Sequence, residues 1–128
     1  MSPTASRRSP KRSRRALQNA GARPYWAPLR WLEADVTIGL LHMEFSIPGS
    51  RSLKDKRRAM NSLKSRMRNR YNCSVAEIGF KDKWARAQLA VCVISDESAH
   101  VHSQLNEIVR FASKHHLAEL MDYSIETM

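Results

Sequence analysis

The sequence predicts an α+β domain, a four-stranded antiparallel sheet with two helices on one face, preceded by a disordered basic extension. Three observations predict it. Several stretches alternate apolar and polar residues at the period of two that marks a half-buried strand. Two others repeat apolar residues at helical spacing behind a capping residue. Their order along the chain is strand, helix, strand, strand, helix, strand. The domain is assigned to residues 34–128 and the extension to residues 1–33.

Residues 1–24 are rich in Arg, Ser, Pro and Ala and carry no apolar period, which reads as disorder. Residues 1–33 hold eight basic side chains against Glu33 alone, a net of +7 out of the chain's +10, leaving +3 for the other 95 residues. Net charge therefore describes the extension more than the domain. The extension is expected either as a basic arm on nucleic-acid phosphates or as a loose tail, since such compositions rarely specify anything alone. Tyr25, Trp26, Leu29, Trp31 and Leu32 are more apolar, and are expected to form a short helix after Pro28 or to pack on the core edge.

The first strand is placed at Val36 to Ile47. Leu41, Met43, Phe45 and Ile47 alternate with His42, Glu44 and Ser46. Val36, Ile38 and Leu40 are apolar on the other parity, so the strand is expected to be central or to bulge near Leu40. The first helix runs from Leu53 to about Tyr71. Ser52 is its N-cap, with Asp55 three residues on, and Leu53, Met60, Leu63, Met67 and Tyr71 share one face. Cys73 to Ile78 reads as a short strand and Gly79 to Lys83 as a hairpin loop. Trp84 to Ile94 reads as the third strand, with Leu89, Val91 and Val93 inward. Ser95-Asp96 is expected to cap a second helix reaching about His115, with Val101, Leu105, Ile108, Val109 and Ala112 as its stripe. In the last strand Met121, Tyr123 and Ile125 alternate with Asp122, Ser124 and Glu126. Two such split crossovers, right-handed by rule, make a ferredoxin-like sandwich. Its second sheet face is open or covered by a partner.

The chemistry concentrates at Ile47 to Tyr71. From Arg51 to Arg70 there are nine basic residues and one acid, Asp55. At about 100° per residue, Lys54, Arg57, Arg58, Lys64 and Arg68 fall within roughly 120° of arc. Lys56 lands inside the apolar face, where its stem is expected to pack while its head snorkels outward. A solvated helix face is the bland alternative, but such faces mix signs and use acid–base pairs four apart. A one-sign face costs stability unless a polyanion lies against it. Phe80, Lys81, Lys83 and Trp84 add a basic and aromatic loop of the kind that holds single-stranded RNA, unless Trp84 anchors the hairpin to the core. Gly49, Ser50, Arg51 and Ser52 precede a helix N-terminus, where free N–H groups can take an anion. That anion could be an RNA phosphate or a small phosphorylated substrate, as in acylphosphatases of this fold. Those enzymes also need a catalytic Asn, and the third strand offers none.

Other classes are disfavoured. The open-face residues of the central strands, His42, Glu44, Ser46, Arg86 and Gln88, make no aromatic platform, so this is not an RRM. His100 and His102 point to different sides of a helix and His115 and His116 are adjacent, so no metal or other cofactor is expected. Cys73 and Cys92 read as reduced cytosolic thiols, and Cys92 is placed in the strand core as an inert one. No apolar run nears the ~18 residues of a membrane span. A cytoplasmic protein is expected.

The run Ile47-Pro48-Gly49-Ser50-Arg51-Ser52-Leu53-Lys54-Asp55-Lys56-Arg57-Arg58, with Asn72-Cys73-Ser74-Val75-Ala76-Glu77-Ile78 and the stretch from Trp84, resembles the YlxP-like family, domain of unknown function 503. The resemblance covers about Val36 to Met128. It implies a small bacterial cytosolic protein of ferredoxin-like fold, whose genes often neighbour those for translation initiation factor two and ribosome-binding factor A. It carries no catalytic set. Members usually begin near Val36, and valine can be encoded by the alternative start codon GTG, so a start upstream of the true one is an expectation for residues 1–35. The functional expectation is a non-enzymatic RNA- or ribosome-associated protein. It binds phosphates through Arg51, Lys54, Arg57, Arg58, Lys64 and Arg68, with Lys81, Lys83 and Trp84 as a second contact. The alternatives are a homodimeric module joined through the open sheet and an acylphosphatase-like hydrolase.

Overall fold

The structure, a computed structural model, describes residues 36–128. The expectations for the basic extension and for Tyr25 to Leu32 lie outside the described residues. Six elements follow one another: β1 (Thr37–Ser46), α1 (Leu53–Arg70), β2 (Ser74–Gly79), β3 (Arg86–Ser95), α2 (Ser98–Ser113) and β4 (Glu119–Thr127). The strands form one sheet in the order β2-β3-β1-β4, with every neighbouring pair antiparallel. This is the expected βαββαβ sandwich.

β1 is central, as its two apolar parities require. It pairs with β3 from Thr37–Ser95 to Ser46–Arg86 without interruption, so no bulge occurs at Leu40. The irregularity lies instead against β4, where Glu44 faces Asp122 and Phe45 faces Leu120. Met121 is the skipped residue and is exposed, while Leu120 takes its expected place against the core. The extra residue shifts the parity of the strand's first part.

Leu41, Met43, Phe45, Leu89 and Val91 are buried on the helix-covered face, under Met60, Leu63 and Met67 of α1 and Val101, Leu105 and Ile108 of α2. Gly39 is the point of closest approach. A Cβ there would overlap the side chains of Val101 and Leu105, so only glycine lets α2 sit this close to β1. Cys92 does not belong to this core. It pairs with Leu40 on the open face and is half-buried, because it shares the parity of Arg86 and Gln88.

Two boundaries moved. Trp84 lies before β3 rather than in it, and it is 52% exposed, so it does not anchor the hairpin. The turn is set by Phe80, whose φ of 57° lies in the left-handed region. α2 starts at Ser98, later than expected. Glu97 is its N-cap and makes no side-chain capping bond. The Ser95 hydroxyl instead accepts from the Glu97 N–H at 3.2 Å, closing a turn ahead of the helix.

Candidate nucleic-acid interface

α1 begins where an N-cap and an acid answer its unpaired N–H groups. Ser52 is extended, and its hydroxyl accepts from Asp55 N at 3.1 Å. The Asp55 carboxylate in turn accepts from Arg51 N at 3.0 Å. This reciprocal arrangement belongs to the capping-box class and fixes the phase of the helix. With Ala59, Met60, Leu63 and Met67 buried, Lys54, Arg57 and Arg58 point into solvent, and Arg51 precedes them there. Lys64 is half-buried. Arg68 is exposed but tethered, its guanidinium donating to Val75 O at 2.9 Å. The structure therefore brings Arg51, Lys54, Arg57, Arg58 and Lys64 together as free cations, and gives Arg68 a bond to β2.

Lys56 departs from expectation. It is 1% exposed, and its head does not snorkel. The ammonium pairs with Glu77 of β2 at 3.0 Å and donates to the carbonyls of Phe80 and Arg86. The helix phase points it under the β2–β3 hairpin, where one carboxylate and two carbonyl oxygens replace its water. This ammonium also holds the carbonyl of the left-handed Phe80. The loop carrying Lys81, Lys83 and Trp84, all exposed, is thereby pinned near the first turns of α1.

Among the described residues the ion pairs are Lys56–Glu77 and one between Arg86 and Glu44 on the open sheet face. Neither neutralises the outward face of α1. Four unpaired cations at helical spacing, with Arg51 just ahead of them, repel one another and leave a field that a polyanion relieves.

The loop Gly49 to Ser52 is less suited to an anion than its sequence implies. Ser50 N donates to Ile47 O, and Arg51 N is taken by Asp55. A hollow of about 180 Å³ beside the loop is lined by Gly49, Asp55, Arg58 and Leu117, among others. The Asp55 carboxylate already supplies the negative charge this helix end attracts.

The opposite flank of α1 was not legible as a site. Arg66 and Arg70 face α2 across a cleft whose other wall carries Arg110, Phe111 and Lys114. Their spacing of four on each helix was visible in the sequence, but the packing that pairs the two flanks was not. His115 closes one end of the cleft. It is buried, its Nδ1 accepts from Leu117 N at 3.2 Å, and its ring stacks on His116 at 5.2 Å. Burial, then the charges of His116 and Arg66, hold its pKa below the ordinary histidine value. Burial pushes the Cys73 thiol up, against the opposing pull of Arg68. Among the described residues, no helix is long and apolar enough to cross a membrane.

A sheet-and-helix sandwich with one strongly basic helical face is the class these elements define. Residues 38–125 match the family described as Protein of unknown function (DUF503), and the chain belongs to it. It is 30% identical over 74 residues to the Uncharacterized protein YlxP of Bacillus subtilis (strain 168), spanning 58% of this chain and 80% of that one. Among solved structures it is similar to the de novo designed protein Foldit4, with a TM-score of 0.44, 12% identity, and coverage of 73% of this chain and 96% of that one.

Proposed function

We propose that this protein is a non-enzymatic RNA-binding protein that works on the ribosome or on an assembling subunit, and that α1 lies along RNA phosphates. The observation that carries the reading is the outward face of α1. Lys54, Arg57, Arg58 and Lys64 share it, Arg51 stands just ahead of it, and no carboxylate among the described residues pairs with any of them. Phosphate contacts through Lys and Arg need no base-specific geometry, so binding is weakly sequence-specific. Lys81, Lys83 and Trp84, on the loop that Lys56 pins to the first turns of α1, offer a second contact with an exposed indole on which a base can stack. The hydrolase alternative is weakened because the Asp55 carboxylate accepts the Arg51 N–H and places a negative charge at the helix end where a substrate phosphate would sit.

The test is co-sedimentation of the full chain with ribosomal subunits at graded salt, wild type against Arg57→Glu/Arg58→Glu. The wild type pellets with subunits at low salt, and the variant loses most of that association. Equal pelleting of both proteins contradicts the reading.

A second reading rests on the open sheet face. Ile94 is 60% exposed there, opposite half-buried Ile38 and two residues along β3 from half-buried Cys92 on the same face. Such a patch fits a homodimer joined sheet to sheet. In that case the charge-reversed variant keeps its cellular role and the dimer persists.

A further inference from the structure

The cleft between α1 and α2 carries the inference furthest. Tyr71 at the end of α1 meets Phe111, in the last turn of α2, edge to face, with ring centroids 5.7 Å apart. Arg66 and Arg70 line one wall and Arg110 and Lys114 the other, around a cavity of about 430 Å³. Glu107 is the one acid in the lining. Cations in the last turn of a helix commonly just complement its dipole, and that alone would leave the cleft without a role. Two features go beyond it. The four cations converge from two helices on one concavity, although like charges do not gather without an anion. The cavity is also floored by aromatic rings with usable faces. The Arg70 guanidinium lies 5.8 Å from the Tyr71 centroid and 5.5 Å from that of Phe111, so a planar, electron-poor group already rests there.

A volume in the range of small-ligand pockets, a few convergent charges and an apolar floor are what a nucleotide needs. We propose that this cleft receives one nucleotide unit, its base lying flat on one ring of the edge-to-face Tyr71–Phe111 pair and its phosphate on Arg66, Arg110 and Lys114. The base takes the place of the Arg70 guanidinium, which swings toward the phosphate. Glu107 sits where it can accept from a ribose hydroxyl or a base amino group. His115, with Nδ1 occupied by Leu117 N and Nε2 3.5 Å from the Ser62 hydroxyl, forms the inner end. This deepens the RNA reading and rests on it for the source of the nucleotide. A free mononucleotide offers the same chemistry.

The experiment uses the full chain in two arms. In the first, adenosine 5′-monophosphate is titrated while the ring resonances of Tyr71, Phe111 and His115 are followed by NMR, with inorganic phosphate at matched ionic strength as the control. The nucleotide shifts all three rings, with upfield ring-current shifts on Tyr71 or Phe111 that inorganic phosphate does not produce, and Arg66→Gln/Arg110→Gln, both exposed positions, abolishes the response. In the second arm, a single-stranded RNA decamer is compared with an abasic decamer. Stacking of one base weakens the abasic strand by about tenfold in the wild type, and the double variant removes the difference. Decamer binding that is lost in Arg57→Glu/Arg58→Glu, with silent rings and no abasic penalty, overturns the cleft and leaves the RNA reading standing. No decamer binding, with the rings still moved by the mononucleotide, overturns the RNA reading and assigns the cleft to free nucleotide. Silence in both arms overturns both.

Discussion

Lys56 and Arg57 are neighbours in the chain, carry the same charge, and stand in opposite regions of the molecule. Lys56 is enclosed by Glu77 and two backbone carbonyls beneath the β2–β3 hairpin. Arg57 stands in solvent among other cations. The difference is one step of about 100° around the helix. It separates a charge that holds the fold together from charges that the fold alone does not use. A count of basic residues treats the two alike. Only the buried or exposed phase of each position tells which cations are free to meet a partner.

The largest expected effect is at the buried site. Lys56→Met leaves the Glu77 carboxylate and the carbonyls of Phe80 and Arg86 without a donor, and denaturant unfolding should show a loss of about 3 kcal/mol. Adding Glu77→Leu should recover most of it, because the penalty belongs to the stranded carboxylate. If Lys56→Met is neutral, the ammonium is hydrated in solution and the contrast with Arg57 disappears.

The next effect is on binding rather than stability. Arg57→Glu/Arg58→Glu changes surface positions with no partner among the described residues, so stability should stay within about 0.5 kcal/mol of the wild type. Relief of repulsion between Lys54 and Arg58, four apart, works toward a small gain. A fall of several kcal/mol would mean that these guanidiniums have structural partners after all.

The smallest effect is a dependence on pH. The folded-state pKa of His115 lies below its ordinary value, through burial and the facing charges of His116 and Arg66. The unfolded chain therefore takes up the proton first as pH falls. His115 contributes no penalty above the ordinary histidine value near 6.5. Stability declines as pH drops below that value and levels off below the folded pKa. His115→Gln should flatten this part of the curve. A nucleotide phosphate in the cleft should oppose the decline, because it favours the imidazolium.

Much of the fold was legible because each element carries a local signal that agrees with the whole. The Ser52 cap, the Met60-Leu63-Met67 face and the β1 alternation each fix a phase without reference to the others. What was missed depends on contacts distant in sequence. The burial of Lys56 required knowing that Glu77 and Phe80 come back over α1. The bulge at Met121 is a register decision between β1 and β4, which alternation alone does not reveal. The cleft needed the packing of α1 on α2, which sets Arg66 and Arg70 against Arg110 and Lys114. The Gly49 to Ser52 loop shows the opposite error. Its residue types suit an anion, but Asp55, equally visible, already serves that helix end.

The outward face of α1 as a phosphate-binding surface is tested most directly by the salt dependence of RNA affinity. Single-stranded RNA binding by the full chain is measured by fluorescence anisotropy across a salt series, for the wild type and for Arg57→Glu/Arg58→Glu. Both proteins carry the same N-terminal residues, so the difference between their slopes belongs to the helix. Five phosphate contacts give a contribution of about −3.5 to the slope of log K against log salt, and losing two of them makes it shallower by about 1.4. Parallel lines of equal affinity would mean that these arginines touch no RNA, and that the free cations of α1 serve something else.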